Sequence, residues 1–301
     1  MDACNLVSIG RSVQRTAIAD PFRNYKPESE KEFKQVNVKE DKTLKQLKKA
    51  FIVLQKKQLF DRPGYIVDEP DDICKFARPL LKGINCTSRD ITNFVICLDK
   101  LLTTCDAADS FGVFVSMLIN NCKEKNFIIR TDIMDAPLNH LGYKNRKNLI
   151  IENGSKETIV GTEMKEGMII AEGNVYCGLC ITGGKFIVKG NAKMVAWNME
   201  NGMIIVEGNA HSGASRADCA VGSSMEGGHV IIAGNVYGAV GFDMRGGEIT
   251  INGNCDGDIG YGMKGGTIFL EGNYGSLADN IVGGNIFHKG KQIVKNGKVL
   301  I

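Results

Sequence analysis

The residue types that could do chemistry in this 301-residue chain are few and poorly grouped. Cys177 and Cys180 have the CxxC spacing that sets two thiols side by side for a metal ion or for disulfide exchange. No second CxxC accompanies them, and His140, His211, His229 and His288 show no ligand spacing, so no metal site is expected. Cys74, Cys86, Cys97, Cys105 and Cys122 fall in apolar helical patterns or at their ends, where a free thiol behaves as a small apolar residue. Gly260-Tyr-Gly262-Met-Lys-Gly265 spells GxGxxG, but a strand pattern follows it where a dinucleotide site needs a helix. No nucleophile elbow or triad spacing is present. The expectation is a chain with no catalytic residues and no cofactor of its own.

Composition narrows the partners. Lys plus Arg is 37 and Asp plus Glu is 34, so the concentrated basic face of a nucleic-acid binder is not expected. No apolar run approaches the ~18–20 residues that span a bilayer. The first residues, Met-Asp-Ala-Cys, lack the apolar centre of a leader, which points to a cytoplasmic chain with reduced thiols and no membrane contact.

Glycine and proline divide the sequence. All six prolines precede residue 138, whereas 29 of the 36 glycines lie between Gly161 and Gly290. Three parts are expected: a polar arm over 1–40, a helical domain over 41–146 and a repetitive domain over 147–301. The arm has no apolar periodicity. In the helical part, Leu44, Leu47, Phe51 and Leu54 make one apolar face, with Lys45, Lys48, Lys49, Lys56 and Lys57 on the other side as a solvated face. Pro70, followed by Asp71 and Asp72, opens a second helix carrying Ile73, Phe76, Ala77, Leu80 and Leu81. Thr87 and Asp90 have the spacing of a capping box before Ile91, Phe94, Val95 and Leu98, and Asp109 is placed to cap the apolar run Phe111–Ile119.

The last part repeats itself. Gly-Asn recurs as Gly173-Asn174, Gly190-Asn191, Gly208-Asn209, Gly234-Asn235, Gly253-Asn254 and Gly272-Asn273, at spacings of 17, 18, 26, 19 and 19. Each follows a short strand introduced by a glycine: Gly167, Gly184, Gly202, Gly228, Gly247 and Gly266, with Gly284 opening a seventh. Two residues after that glycine stand Ile169, Phe186, Ile204, Val230, Ile249, Ile268 and Ile286. Four after it stand Ala171, Val188, Val206, Ile232, Ile251, Leu270 and His288. Alternation with period two means strand, and a fixed period near 19 means that each strand lies over its equivalent one repeat earlier. The asparagines are expected to form a ladder between coils. A weaker unit, Leu149-Ile150-Ile151-Glu152-Asn153-Gly154, brings the total to about eight coils. His288 and Lys291 break the pattern as a terminal cap should.

Met225-Glu-Gly-Gly-His-Val-Ile-Ile-Ala-Gly-Asn235, with Gly238 and Gly241, and Met244-Arg-Gly-Gly-Glu-Ile-Thr-Ile-Asn-Gly-Asn254, with Gly257 and Gly260, carry a family resemblance. Residues 148–301 resemble the GXGXG right-handed parallel β-helix found as the C-terminal domain of the glutamate synthase large subunit and as one of the subunits of formylmethanofuran dehydrogenase. The resemblance implies a non-catalytic scaffold that holds catalytic domains or subunits together, and it brings no catalytic residues. Counted from Asn174, Cys177 and Cys180 take the places of Gly238 and Gly241, which reads as small thiols at corners.

Two features point to partners. The third position of each strand points away from the core and should be polar, yet it reads Ile150, Ile170, Ile187, Ile205, Ile231, Thr250, Phe269 and Phe287. Such a ridge is larger than a monomer ordinarily leaves wet, and the helical domain, another subunit or self-association is expected to cover it. The 26-residue spacing also inserts about seven residues at His211-Ser-Gly-Ala-Ser-Arg-Ala-Asp218, where His211, Ser215, Arg216 and Asp218 are candidate contact residues. The expected function is an assembly subunit of a multi-subunit oxidoreductase or amidotransferase complex. A free-standing adaptor that binds an unrelated partner is the alternative, and an enzyme with its site between helices and solenoid is the third reading.

Overall fold

The computed structural model describes residues 40–61, 70–98, 105–132, 134, 138–153, 158–212 and 220–300. The arm expected over 1–40 lies outside them except for Glu40. Four helices come first: α1 (Lys42–Asp61), α2 (Pro70–Leu81), α3 (Ser88–Leu98) and α4 (Cys105–Asn121). The capping box closes as its spacing predicts. The Thr87 N–H donates to the Asp90 carboxylate at 2.8 Å and the Asp90 N–H to Thr87 Oγ1 at 3.2 Å. α4 starts at Cys105, so Asp109 lies inside the helix instead of capping it. Phe51, Phe94, Phe111 and Phe114 pack ring against ring at 5.1–6.3 Å and are fully buried.

A parallel β-solenoid of about eight turns follows. One sheet takes β1 (Asn126–Arg130), β2 (Asn148–Glu152), β4 (Met168–Ala171), β6 (Lys185–Val188), β8 (Met203–Val206), β10 (His229–Ile232), β12 (Glu248–Ile251), β14 (Thr267–Leu270) and β16 (Asn285–His288). The second takes β3 (Thr158–Val160), β5 (Val175–Cys177), β7 (Ala192–Lys193), β9 (Ala210–His211), β11 (Val236–Tyr237), β13 (Cys255–Ile259) and β15 (Tyr274–Leu277). β17 (Lys291–Lys295) and β18 (Lys298–Val299) fold back antiparallel on β16 and end the first sheet as a hairpin. Lys291, Lys295 and Lys298 on it are exposed, which guards that edge against further pairing.

The stack begins one rung earlier than the repeat suggests. β1 pairs in register with β2, Phe127 opposite Leu149 and Ile129 opposite Ile151, and all four are buried. The boundary expected at 147 therefore falls inside the stack. Residues of the helices and of the coils belong to one continuous core. α4 meets the first corner so closely that a Cβ on Gly112 would collide with the carbonyl of Asn139. Ser116 Oγ accepts the N–H groups of Gly142 and Tyr143 at 2.8 and 3.2 Å, and Asn120 Oδ1 accepts that of Arg146 at 3.1 Å.

Stacking dictates the residues inside. At second and fourth strand positions Ile169, Phe186, Ile204, Ile249, Ile268, Val188, Val206, Ile232 and Ile251 are wholly buried. A further inward column comes from the corners: Met164, Met199, Met225, Met244 and Met263, also wholly buried. Each methionine methyl presses on the second glycine of the following Gly-Gly turn. At Gly228 (φ +85) a Cβ would lie 2.6 Å from the Met199 methyl, so the turn needs glycine for space as well as for conformation. Between coils, the side-chain Oδ1 of Asn174, Asn191, Asn209, Asn235 and Asn254 accepts the backbone N–H of the asparagine one coil later, each at 2.8 Å. The contact runs from side chain to backbone, so each asparagine satisfies a donor that the corner would otherwise leave bare.

One corner shows how tightly neighbouring coils are matched. Gly161, Gly178, Gly222 and Gly241 start their corners with φ +69 to +77, and the ring or δ-methyl of Phe186, Ile204, Ile249 or Ile268 fills the space where a Cβ would stand. The exception is Ala196, at φ +61. The strand residue at the matching place one coil on is Val230, which has no δ-carbon. Val230→Ile is expected to destabilise the chain by about 1–3 kcal/mol through overpacking. Adding Ala196→Gly should return the double variant to wild-type stability or above, because glycine also removes about 1 kcal/mol of left-handed strain. Thermal unfolding of the four chains checks this, and equal costs with and without Ala196→Gly would refute the pairing.

Candidate interaction surface

The outward third position forms an unbroken column on the long sheet. Strand register places Ile128, Ile150, Ile170, Ile187, Ile205, Ile231, Thr250, Phe269 and Phe287 opposite one another in that order. At ~4.8 Å per rung, nine rungs span about 38 Å. Ile150 and Ile170 are buried, Ile128 is 40% exposed, and the residues from Ile187 to Phe287 are half-buried. The Phe269 and Phe287 rings stack at 5.2 Å. Gln292 on β17 lies opposite Phe287 and ends the apolar run. Of the helices, α3 packs on this sheet, and it does so at β1. Among the described residues the helices therefore pack on the long sheet at its first edge, at β1, and not along Ile187–Phe287.

A charged column borders the apolar one. At the fifth strand position stand Glu152, Glu172, Lys189, Glu207, Glu271 and Lys289, with Arg130 on β1, interrupted by Ala233 and Asn252. Arg130 pairs with Glu152 at 3.0 Å and Lys189 with Glu207 at 2.7 Å. Burial pushes the Glu172 carboxyl above its usual range, against the pull of Lys189. An apolar strip with a charged border is the layout of a protein interface.

The insertion region differs from expectation. His211 is the last residue of β9, where it lies opposite Tyr237 with the rings stacked at 4.8 Å. The Ser212 N–H still donates to the Tyr237 carbonyl at 2.9 Å, and Val221 is again paired with Val240. Ser215, Arg216 and Asp218 lie outside the described residues. Beside His211 the same outward row carries Lys193, whose ammonium sits 5.2 Å over the Tyr176 ring.

The CxxC pair is placed otherwise than counting from Asn174 suggests. Cys177 is in β5 opposite Val160, inside the aliphatic core, and Cys180 is a corner residue at φ +56. The shift arises because this coil is two residues shorter than those around Gly238 and Gly257. Cys180 shares its left-handed corner place with Glu163, Asn198 and Asp243, so smallness is not what selects it. Burial alone pushes the Cys177 thiol up to about 12, and burial followed by the Glu163 charge raises that of Cys180, which makes both poor nucleophiles near neutrality. Among the described residues no group of three or more His, Cys, Asp or Glu side chains is placed to hold a metal ion. After Gly260–Gly265 comes strand β14. No described helix is long and apolar enough to cross a membrane.

The structure does gather one polar group that spacing conceals. Tyr143 Oη lies 2.9 Å from Asp71 Oδ1 and 3.1 Å from Glu163 Oε1, while Lys144 Nζ pairs with Asp71 and, at 3.5 Å, with Glu163. The Tyr143 hydroxyl is buried and its proton is held far more tightly than usual, first by desolvation and then by Asp71. The cluster ties the first turn of α2 to the first two corners. Nothing in the sequence links residues 71, 143 and 163. Only the shared place of Lys144 and Glu163 two residues after a corner glycine hints at it.

No family model matches the chain, and no curated protein matches it in sequence. Among solved structures, a similar chain occurs in the X-ray crystal structure of the formyltransferase/hydrolase complex from Methylorubrum extorquens in complex with methylofuran. The two share 21% identity over 51% of this chain and 58% of that one, with a TM-score of 0.40.

The cluster makes an acid-sensitive tie. Lys144, then Tyr143, by hydrogen bonding, hold the Asp71 carboxyl below its usual value of 3.8. The stabilisation is therefore complete above about pH 4 and is lost as pH falls through the lower folded value. Tyr143→Phe is expected to cost about 1–2 kcal/mol near neutrality, since a buried hydroxyl bonded to carboxylates is lost. Melting temperatures measured from pH 7 to 2 should fall less steeply below pH 4 in Asp71→Asn than in the wild type. Parallel curves would show that Asp71 does not carry the effect.

Proposed function

We propose that this chain is a non-catalytic assembly subunit that holds other protein subunits against the outward column of its long sheet. The observation that carries the reading is the register itself: eight of nine stacked outward positions, all but Thr250, are Ile or Phe. A strand face turned to water gains from such residues only their packing on one another, whereas a face buried by a partner gains in addition roughly 25 cal/mol for each Å² covered. The motif carried by Met225–Asn235 and Met244–Asn254 supports a finer reading, in which the parent assembly is an oxidoreductase or amidotransferase of the glutamate synthase or formylmethanofuran dehydrogenase kind. In that reading the solenoid joins catalytic partners and does no chemistry itself. The partners are proteins, and the chain works in the cytoplasm.

Replacing Ile187, Ile205 and Ile231 together by Ser tests the reading. Each side chain is half-buried on a strand face, so each change should cost up to about 1 kcal/mol and leave the chain folded. Light scattering of the complex purified from its native source is expected to show the assembled mass for the wild type and the single-chain mass for the triple variant. An assembled mass that survives all three substitutions overturns the proposal.

A further inference from the structure

The two sheets have four ends; among the described residues two are covered and a third is guarded by lysines. β1 is covered by α3, where Thr92 Oγ1 reaches the Ile128 carbonyl at 3.4 Å. β3 is closed by the segment before it. The His140 N–H donates to the Ile159 carbonyl at 2.7 Å, the Gly161 N–H to that of Leu141 at 3.0 Å, and Thr158 Oγ1 to that of Leu138 at 2.8 Å. The long sheet ends in the β17–β18 hairpin with its lysines. The seven-stranded sheet ends at β15, and no described strand follows it.

The backbone of β15 shows what is missing. One coil earlier, the Cys255 N–H donates forward to the Asn273 carbonyl at 2.8 Å; Tyr274 holds the corresponding place on β15. The Val240 N–H likewise donates forward to Asp258, and the Val240 and Ile259 carbonyls accept from Gly260 and Ala278 of the coil that follows each. Leu277 continues that column, with its N–H and C=O directed where no described strand lies. The side chains here are also only half covered. Tyr274, Leu277 and Ile281 pack on the core from one side and stay partly open, and Val282 is 71% exposed. No lysine or proline guards the strand, unlike the hairpin beside it.

Steric form and charge narrow the occupant. β17 and β18 rise two strands, about 10 Å, above β16, so the end of the solenoid is a step with β15 on its lower tread. A second copy approaching end-on would meet hairpin against hairpin before its own β15 came within pairing distance. A single extended segment fits the tread. Asp256 turns back to accept the Gly238 N–H, but Asp258, whose Oδ1 accepts from Ser276 Oγ on β15, and Asp279, just after β15, are exposed beside the edge, which favours basic side chains on the outer face of that segment. We propose that β15 is a docking edge for an extended segment of a partner protein, alternately apolar and basic, which adds an eighth strand to the seven-stranded sheet. This surface lies on the other sheet from the Ile187–Phe287 column and needs nothing of the reading given above for that column.

A labelled ten-residue peptide of alternating Lys and Val, added to the full chain, probes the edge. Saturable one-to-one binding is expected, with hydrogen exchange at the Tyr274 and Leu277 amides slowed at least tenfold. The same peptide methylated at alternate backbone nitrogens, and one with Glu in place of Lys, should each bind at least tenfold more weakly. Val282→Lys should weaken binding by a similar factor without moving the melting temperature, since Val282 is already exposed. The Ile187, Ile205 and Ile231 triple variant should bind as the wild type does. Absence of saturable binding, binding that survives methylation, or unchanged exchange at both amides at saturating peptide overturns the proposal.

Discussion

Everything in the described part of this chain follows from stacking coils at the distance of a β-ladder. That spacing, about 4.8 Å, is shorter than the width of most side chains, so each residue must match the residue one coil before and one coil after. The methionine methyls over the Gly-Gly turns, the δ-methyls over the corner glycines, and Ala196 one coil before Val230 are three solutions to the same shortage of room. The asparagine ladder answers the other demand of the spacing, that corner N–H groups find an acceptor although no strand is there to supply one.

The same constraint decides what can be read from the sequence. Columns of like residues at a fixed period are a one-dimensional record of a three-dimensional stack, and strands β4 to β16 fall where the period puts them. Counting fails where a coil changes length. It sets Cys177 and Cys180 on Gly238 and Gly241 because their coil is shorter between Asn174 and the corner, and only strand pairing shows that Cys177 belongs opposite Val160. β1 is hidden for a related reason: the stretch from Thr131 to Lys147 carries no Gly-Asn signal to tie Phe127 and Ile129 to Leu149 and Ile151. The Asp71–Tyr143–Glu163 cluster is illegible in the sequence, since it joins a helix start to two corners far away along the chain.

The outward surfaces and the interior serve different ends. Inside, even potentially reactive groups are made inert: Cys177 is sealed among aliphatic side chains, and its thiol is pushed up accordingly. Outside, the Ile187–Phe287 part of the apolar column and the open edge of β15 each lack a covering element among the described residues, and they do so in different chemical terms. One offers side chains without neighbours, the other backbone groups without partners. The candidate loop residue His211 belongs to neither; it sits on a regular rung, stacked on Tyr237.

The seal of α3 and α4 on the first rung has a consequence for how the molecule comes into being. During translation the four helices emerge before any coil, and their packed face against β1 and the first corner gives the nascent strands a finished platform. Each later rung then needs only the one just laid down, so winding can keep pace with the ribosome without waiting for distant sequence. Of the described elements the lysine-bearing hairpin is made last, and it halts the growth of one wall.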